Sequence, residues 1–379
     1  MTDDQQWQAP GDPHEPVPPV QPPPSGYYVP PAAQPSPGWT PAPKPGLIPL
    51  RPIEFGTLLG ASFQLLRRNP KPTFGASLLI QTISTVLSIV ILGAITFFAV
   101  SRASSSSSAN LDLIGAGNVG LAIVGGLVTV ALSVVASAML QGIIVVEVTR
   151  QTLGEKSTFR QLWARVKGRV PALAGWSLLV GLAITLAIGV LAGLIALLAI
   201  TLGPVGVALA VLVGIVGGLA LVAIFVWVGT KLSLVPSAIS IERLGIGAAI
   251  RRSWSLTTGS FWRTFGIELL VLVMLNFASQ VISFPLSFVG GIVIGLVDPN
   301  GQMSGTTIVV VILIGIVTVG LTLVITAITV VVQSGSTALI YLDRRIRTEA
   351  LDLELISYTE ARHSGDNSAP DPFPGPTAV

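Results

Sequence analysis

Long apolar runs are the feature that most limits what this chain can fold into. They lie at about residues 73–100, 119–146, 172–230, 264–297 and 306–342. A helix needs about 20 apolar residues to cross the hydrocarbon core, and lipid admits only helices or closed barrels. The run 172–230 is too long for one crossing, and Leu202-Gly-Pro-Val205 divides it because Pro204 favours a tight turn. The sequence therefore predicts an all-α integral membrane protein with six transmembrane helices.

Composition agrees with a lipid solvent. The 379 residues are 51% hydrophobic and 10% charged, whereas soluble domains carry about 25% charged residues. The chain has no Cys, which excludes disulfides, thiolate metal sites and a cysteine nucleophile. Residues 1–8 are polar and do not resemble a signal peptide, so we expect the first apolar run to be an uncleaved signal-anchor.

Basic residues mark one side of the predicted spans. Of the 21 Lys and Arg residues, only Arg102 falls in a connection on the other side. The positive-inside rule then predicts a multi-pass plasma-membrane protein with both termini in the cytoplasm. Pro285, inside the fifth apolar run, marks either a kink in a span or a re-entrant break, and the charge pattern favours the kinked span.

A short basic sequence occurs three times, with the same interval from an aromatic residue to a glycine. The copies are Phe63–Gly75, Trp163–Gly175 and Trp254–Gly266, and each glycine is followed by x-(Ser/Glu)-Leu-Leu-(Ile/Val). Each copy leads into an apolar stretch. The predicted architecture is therefore three repeated units, each a cytoplasmic amphipathic helix followed by a transmembrane hairpin.

The same pattern sets the expected domain bounds. A Pro-rich, disordered cytoplasmic tail is predicted for residues 1–45, because proline favours polyproline II over helix or sheet. The membrane domain is predicted for 46–358, with repeats at about 53–150, 154–243 and 245–347. A disordered C-terminal tail is predicted for 359–379.

The short helices combine an apolar face with a basic edge, which is typical of helices that lie in the membrane interface. Phe55, Leu58, Leu59, Ser62 and Leu66 share the predicted face of the first, and Ile246, Ile250 and Trp254 that of the third. Two interpretations stay open: the helices only orient each hairpin, or they form a shared basic ring that binds lipid headgroups. The candidate residues for contact with anionic lipid are Arg67, Arg68, Lys71, Arg160, Trp163, Lys167, Arg251, Arg252, Trp254 and Arg263.

Each predicted hairpin ends on a carboxylate close to a basic residue. The three sites are Glu147-Val-Thr-Arg150, Glu242-Arg243 and Asp343-Arg344-Arg345. Because paired charges are less costly at an interface than single ones, we predict structural ion pairs within each site.

Few polar side chains lie inside the predicted spans. They are Gln81, Gln141, Asn276, Gln280 and Gln333. Asn276 and Gln280 share a face and form either a polar seam or hydrogen bonds to a neighbouring helix. No ionisable residue lies at the centre of a span, and Glu268 lies just inside the fifth. This argues against proton relays, voltage sensors and most ion-coupled carriers.

The sequence does not predict an enzyme. It contains no HExxH, GxSxG, Walker A or GxGxxG motif in a suitable context. Its two histidines, His14 and His363, lie in polar tails away from any carboxylate cluster. We therefore predict no catalytic residues, no cofactor and no metal site, and the basic residues beside apolar runs do not indicate nucleic-acid binding.

Three passages resemble actinobacterial multi-spanning proteins of the glycerophosphoryl diester phosphodiesterase membrane-domain family. They are Leu47-Ile-Pro-Leu-Arg-Pro-Ile53, Arg251-Arg-Ser-Trp-Ser-Leu-Thr-Thr-Gly-Ser-Phe-Trp-Arg263 and Leu339-Ile-Tyr-Leu-Asp-Arg-Arg-Ile-Arg-Thr-Glu-Ala-Leu-Asp352. The resemblance covers about residues 46–358 and implies the membrane part only, since the enzymes of that family carry a separate metal-dependent barrel. The family motif usually has Gly where Ala350 stands, which weakens the expectation of a helix-ending turn there.

These patterns favour a non-catalytic integral membrane protein of the plasma membrane, acting as a scaffold or lipid-associated partner. The expected partners are anionic headgroups of the cytoplasmic leaflet and a protein bound by the Pro-rich tail. The alternative is a transporter or flippase-like conduit for an amphiphilic substrate, which would use the face of Asn276 and Gln280.

Overall fold

The computed structural model describes residues 46–47, 53–104, 111–299, 304–366 and 368–373. The predicted Pro-rich tail at 1–45 lies outside them. Within these ranges the chain forms helices and turns and no strand. The α-helices are α1 (Phe55–Arg68), α2 (Ala76–Ser104), α3 (Leu111–Thr152), α4 (Phe159–Val166), α5 (Val170–Thr201), α6 (Gly203–Leu232), α7 (Val235–Ile241), α8 (Ile246–Thr257), α9 (Phe261–Val297), α10 (Gly305–Glu349) and α11 (Leu351–His363).

Six helical segments are long and apolar enough to cross a membrane. Among the described residues they are Lys71–Arg102, Gly117–Thr152, Val170–Thr201, Gly203–Ile241, Phe261–Val297 and Gly305–Glu349. The first includes a π-helical turn, Lys71–Gly75, directly before α2. The prediction of an all-helical chain with six such helices is confirmed, and it indicates a multi-pass membrane protein.

The two proline-containing positions behave differently. Between α5 and α6, Gly203 adopts a positive φ of 58° and Pro204 lies in the first turn of α6, so the predicted turn forms there. In α9, by contrast, Pro285 lies inside one continuous helix from Phe261 to Val297. The fifth apolar run is therefore a continuous helix and not a re-entrant segment.

The buried core lies at one end of the long helices. Side chains that are almost fully buried include Leu58, Ile144, Leu173, Leu234 and Tyr341, which come from α1, α3, α5, the start of α7 and α10. In the most apolar stretch of each of the six segments, by contrast, only 0–11% of the residues are buried. We call this end, where α1, α4, α7, α8 and α11 meet the long helices, the basic end. The middle of each long helix presents apolar side chains outward, as contact with lipid requires.

Two of the short helices pack closely against glycines of long helices. A Cβ atom added to Gly335 of α10 would lie 2.3 Å from Leu65 Cδ1 of α1. A Cβ atom at Gly142 of α3 would lie 2.5 Å from Val166 Cγ1 of α4. A side chain at either position would displace Leu65 or Val166, so these short helices pack directly against the helix ends and do not lie on the membrane surface alone.

This packing changes which faces of the short helices are buried. In α1 the buried side chains are Leu58, Ala61, Ser62 and Leu65, whereas Phe55 is exposed. In α8 they are Ala249, Ser253, Leu256 and Thr257. The predicted faces were therefore partly wrong, with Trp254 of α8 exposed. Each buried face combines small residues with leucines, whereas Phe55 and Trp254 lie on the outer surface.

The C-terminal part is more ordered than the sequence predicts. Ala350 adopts the left-handed conformation, with φ 53° and ψ 38°, and separates α10 from α11. The helix-ending turn therefore forms although glycine is absent. Helix α11 extends to His363, and the described tail ends in Phe373, which is buried. Helix α11 thus covers the first residues of the predicted C-terminal tail, 359–379, and Phe373 packs at the ends of α3 and α10.

Replacing Ala350 with Gly should stabilise the protein. An L-residue in the left-handed region costs about 1–2 kcal/mol of folding free energy, and glycine removes this cost. Glycine also has a larger unfolded-state entropy, which destabilises the folded protein by about 0.5–1 kcal/mol. We expect a net gain of about 0.5–1 kcal/mol, measured as a higher thermal midpoint in detergent. The control Ala192→Gly, in the exposed middle of α5, should lower the midpoint. An unchanged or lower midpoint for Ala350→Gly would contradict strain at this turn.

Candidate functional site

The carboxylate of Asp343 joins three elements at the basic end. It accepts hydrogen bonds from the backbone N–H of Ile53, at 2.9 Å, and from Arg347 Nε, at 3.0 Å. Arg263 Nη2 lies 3.3 Å from the same carboxylate and donates to the Ile53 carbonyl at 2.7 Å. Asp343 itself is only 2% exposed. One side chain thus connects the segment before α1, the start of α9 and the end of α10.

Glu242, directly after α7, is the centre of a second group. Arg252 of α8 donates to it through Nη2 at 2.8 Å, and the Tyr341 hydroxyl donates to it as well. Arg345 Nε lies 3.4 Å from Glu242 and 3.0 Å from Glu349. Burial alone would lower the pKa of Arg252, but hydrogen bonds with the Glu349 and Glu242 carboxylates outweigh it and raise the pKa above its usual value. The guanidinium therefore stays charged.

Arg150, near the end of α3, is the centre of a third group. It pairs with Asp371, lies 3.7 Å from Glu155 and stands 5.7 Å from the centre of the Phe373 ring. Arg345 Nη1 also donates to the Phe373 carbonyl at 3.0 Å. The segment after α11 is therefore bound to the ends of α3 and α10. We call the residues around Asp343, Glu242 and Arg150 the charged junction.

Tyr358 of α11 extends the charged junction at its edge. Its hydroxyl donates to Glu155 Oε1 at 3.3 Å. Partial burial, together with the negative charge of Glu155, raises the pKa of Tyr358. The phenol therefore stays protonated at neutral pH and keeps its role as a donor.

The predicted pairs between neighbouring residues do not form. Glu147 accepts from Asn69 Nδ2 at 2.7 Å and from Gln151 Nε2 at 2.8 Å, and Arg344 Nε donates to the Leu256 carbonyl at 2.9 Å. Asp343 and Arg344 are adjacent on a helix, so their side chains point in different directions and do not meet. Arg150 lies one turn from Glu147 but binds Glu155 and Asp371 instead. The carboxylates Glu242 and Asp343 do form structural ion pairs as predicted, but their partners lie on other elements or a turn away.

Some of the candidate lipid-contact residues are bound within the protein, and the others are exposed. Arg252 and Arg263 belong to the charged junction, and Trp163 is half-buried against α3. The remaining candidates are exposed at the basic end: Arg67, Arg68, Lys71, Arg160, Lys167, Arg251 and Trp254. Sequence reasoning treated all ten alike because a basic residue in a junction and one at a surface have the same local pattern.

The candidate polar seam lies on the outer surface of α9. Asn276 and Gln280 are exposed, and Asn276 Nδ2 donates to the Leu272 carbonyl of its own helix at 2.8 Å. Neither lines the cavity of about 670 Å³ between the long helices, which is lined instead by Gln141 and Gln333, among others. Periodicity placed Asn276 and Gln280 on one face correctly but did not reveal which way that face points.

The described residues offer no metal centre. Among them, no three His, Asp or Glu side chains are grouped so that they could hold a metal ion. The buried carboxylates of the charged junction are instead bound by arginines, amides and a backbone N–H. This arrangement joins helices at the basic end.

The comparisons with known proteins give one match. Residues 166–343 match the model of a domain of unknown function, DUF7847. The match begins at the last residue of α4 and ends at Asp343, so it includes Glu242, Arg252 and Arg263 but not Arg150. No curated protein and no solved structure matches the chain.

Replacing Glu242 with Ala should destabilise the protein strongly. The change removes the acceptor of Tyr341 and leaves the buried Arg345 with one carboxylate fewer. Breaking a buried charge pair costs about 3–5 kcal/mol, and the Glu349 contact keeps the loss near the lower limit, about 3 kcal/mol. Denaturant unfolding in detergent measures it. Glu354→Ala, on the exposed surface of α11, is the control and should stay within about 0.5 kcal/mol. Equal losses in the two variants would refute a structural role for Glu242.

Proposed function

We propose that this chain is a non-catalytic plasma-membrane protein whose basic end faces the cytoplasm and binds anionic lipid headgroups. The observation that carries the proposal is a set of exposed cations at that end. Within the described part of the chain, ion pairs involve none of Arg67, Lys71, Arg160, Lys167 and Arg251. These cations are therefore open to a ligand outside the protein.

Aromatic side chains accompany these cations. Phe159, Trp254 and Trp262 are exposed at the basic end, Trp262 to 78%. Tryptophan is enriched at the level of lipid headgroups, where its ring meets both apolar and polar groups. Each Lys or Arg near an anionic leaflet contributes about 1 kcal/mol to membrane contact. Exposed cations beside exposed rings match that environment.

The proposal includes a three-unit organisation. The helices α1, α4 and α8 precede the long-helix pairs α2–α3, α5–α6 and α9–α10. The carboxylates Glu147, Glu242 and Asp343 follow or end these pairs, and each accepts hydrogen bonds from another element. This order supports repeats at about 53–150, 154–243 and 245–347.

In this role the protein acts as a scaffold at the membrane. The Pro-rich tail, residues 1–45, is proposed to bind a protein partner through its polyproline segments. The resemblance to a phosphodiesterase membrane domain concerns the helices and brings no activity with it.

Cysteine labelling tests the orientation. The chain has no native Cys, so single variants give no background. Lys167→Cys, at the exposed basic end, should react with a membrane-impermeant maleimide only after cells are opened. Leu202→Cys, exposed in the turn between α5 and α6, should react in intact cells. The reverse pattern would show that the basic end faces outward.

Charge neutralisation tests lipid binding. A variant with Gln at positions 67, 71, 160, 167 and 251 should lose most of the preference for anionic over zwitterionic lipid, since each charge contributes about 1 kcal/mol. The measurement is the number of anionic lipids retained in native mass spectrometry of the full chain. Arg102→Gln, which removes one positive charge near the far end of α2, is the control and should keep the preference. An unchanged preference in the five-site variant, with a disturbed orientation in the labelling assay, would mean that the charges only set topology.

A further inference from the structure

A cavity of about 670 Å³ lies between the long helices, directly beyond the buried core. Its walls come from α3, α5, α6, α9 and α10, and Pro236 and Ile250 close it at the basic end. Binding sites for small molecules usually measure about 300–1,000 Å³. The cavity therefore has the size of a ligand site, and it lies in the half of the spans nearer the basic end.

The lining is mostly polar toward the basic end and mostly apolar deeper between the helices. On α10 the order from the basic end is Thr337, Ser336, Ser334, Gln333 and then Val330. In α9 Glu268 precedes Val271, and in α5 Ser177 precedes Leu179 and Ile184. Ser233, directly after α6, lies nearer the basic end than Val228 and Phe225, while Trp176 and Leu232 add apolar surface at the level of the polar residues. A cavity graded in this way matches a molecule with a polar head and an apolar tail, with the head toward the basic end.

Glu268 supplies the only charged side chain among the lining residues. Its Oε1 atom is buried and has no hydrogen-bond partner within the described chain. The nearest cation that the chain offers on α6, Lys231, instead lies 3.4 Å from Thr258 Oγ1 and 5.4 Å from the centre of the Trp254 ring. Ser233 already hydrogen-bonds the Glu268 carboxylate. A buried polar atom without a partner is costly, so the remaining oxygen, which faces the cavity lining, leaves room for one further donor.

We infer that this cavity binds one amphiphile, with an ammonium headgroup at Glu268 and an apolar tail along α5 and α6. A carboxylate only accepts hydrogen bonds, so its complement is a donor, and a positive charge offsets the cost of holding the carboxylate away from water. Gln141 and Gln333 line the same cavity and accept further N–H groups through their carbonyl oxygens.

The apolar end of the cavity opens to the side of the molecule. Leu179 and Ile184 line it and are also 49% and 38% exposed on the surface of α5. A tail can therefore enter from the surrounding lipid without crossing the charged junction. The site is separate from the exposed cations that carry the proposed function, because none of those residues lines it.

Binding of dodecylamine to the full chain in phosphatidylcholine nanodiscs tests the inference, with empty nanodiscs subtracted. Wild type should bind dodecylamine at least tenfold more tightly than dodecanol or dodecanoate. Glu268→Gln keeps the shape but removes the charge, and it should abolish this preference. Phosphatidylethanolamine added to the nanodiscs shows the source of the headgroup: competition identifies a membrane lipid, and binding without competition identifies a free alkylamine.

A second variant tests the cavity without changing charge. A Cβ atom at Gly229, which lines the cavity, meets no neighbouring atom within 4 Å, so Gly229→Leu should fill the space and abolish saturable binding. Gly218→Leu, on the same helix but away from the cavity, is the matched control for the added side chain. Asn276→Leu, on the outer face of α9, is the control for loss of a polar group outside the cavity. Both should bind like wild type. Thermal midpoints establish that each variant is folded.

The inference is overturned by equal wild-type affinity for dodecylamine and dodecanol. It is also overturned by a folded Glu268→Gln or Gly229→Leu protein that binds dodecylamine like wild type. Because the basic surface is unchanged in these variants, their retention of anionic lipid should stay at the wild-type level. A failure of this site is therefore distinguishable from a failure of the proposed lipid contact.

Discussion

Buried carboxylates at the helix ends determine how the long helices of this protein associate. In lipid, apolar helices gain nothing from hiding their side chains from water, so packing and polar contacts must bring them together. Here the middle of each span is almost entirely outward-facing, and most of the buried core lies at the basic end. Asp343 and Glu242 lie inside that packed region and bind groups from α8, α9, α10 and the segment before α1. These few contacts fix the ends of α9 and α10 against the short helices.

The charged junction also explains where the cavity lies. Charge pairs withdrawn from water are satisfied only in one geometry, which sets the position of each helix end. The core ends a few turns further along the helices, around Trp176 and Val271. Beyond that depth side chains no longer fill the space between the helices, and the cavity begins beside Trp176 and Val271. A molecule joined firmly at one end thus leaves space between its helices nearer the middle.

Local pattern was sufficient for the helices and insufficient for their contacts. Apolar length predicted the six spans, and Gly203 with Pro204 predicted the turn between α5 and α6, because these signals act within a few residues. The partners of Asp343 and Glu242 lie on other elements, and no periodicity identifies them. For the same reason Arg252 and Arg263 looked like surface cations, and Phe373 looked like part of a solvated tail. The cavity requires Gln141, Glu268 and Gln333 to converge from three helices, which a single sequence does not reveal.

The hydrogen bond from Ile53 to Asp343 spans 290 residues of chain, and it has a consequence for biosynthesis. Helical hairpins enter the bilayer in the order in which they are made, yet the acceptor for the first element is among the last to emerge from the ribosome. Until α10 is made, the segment before α1 and the guanidinium of Arg263 lack their final partner, the Asp343 carboxylate. The contact of Asp343 therefore forms as a closing step after insertion, and a polypeptide interrupted before α10 would lack the carboxylate that joins the segment before α1 to α9.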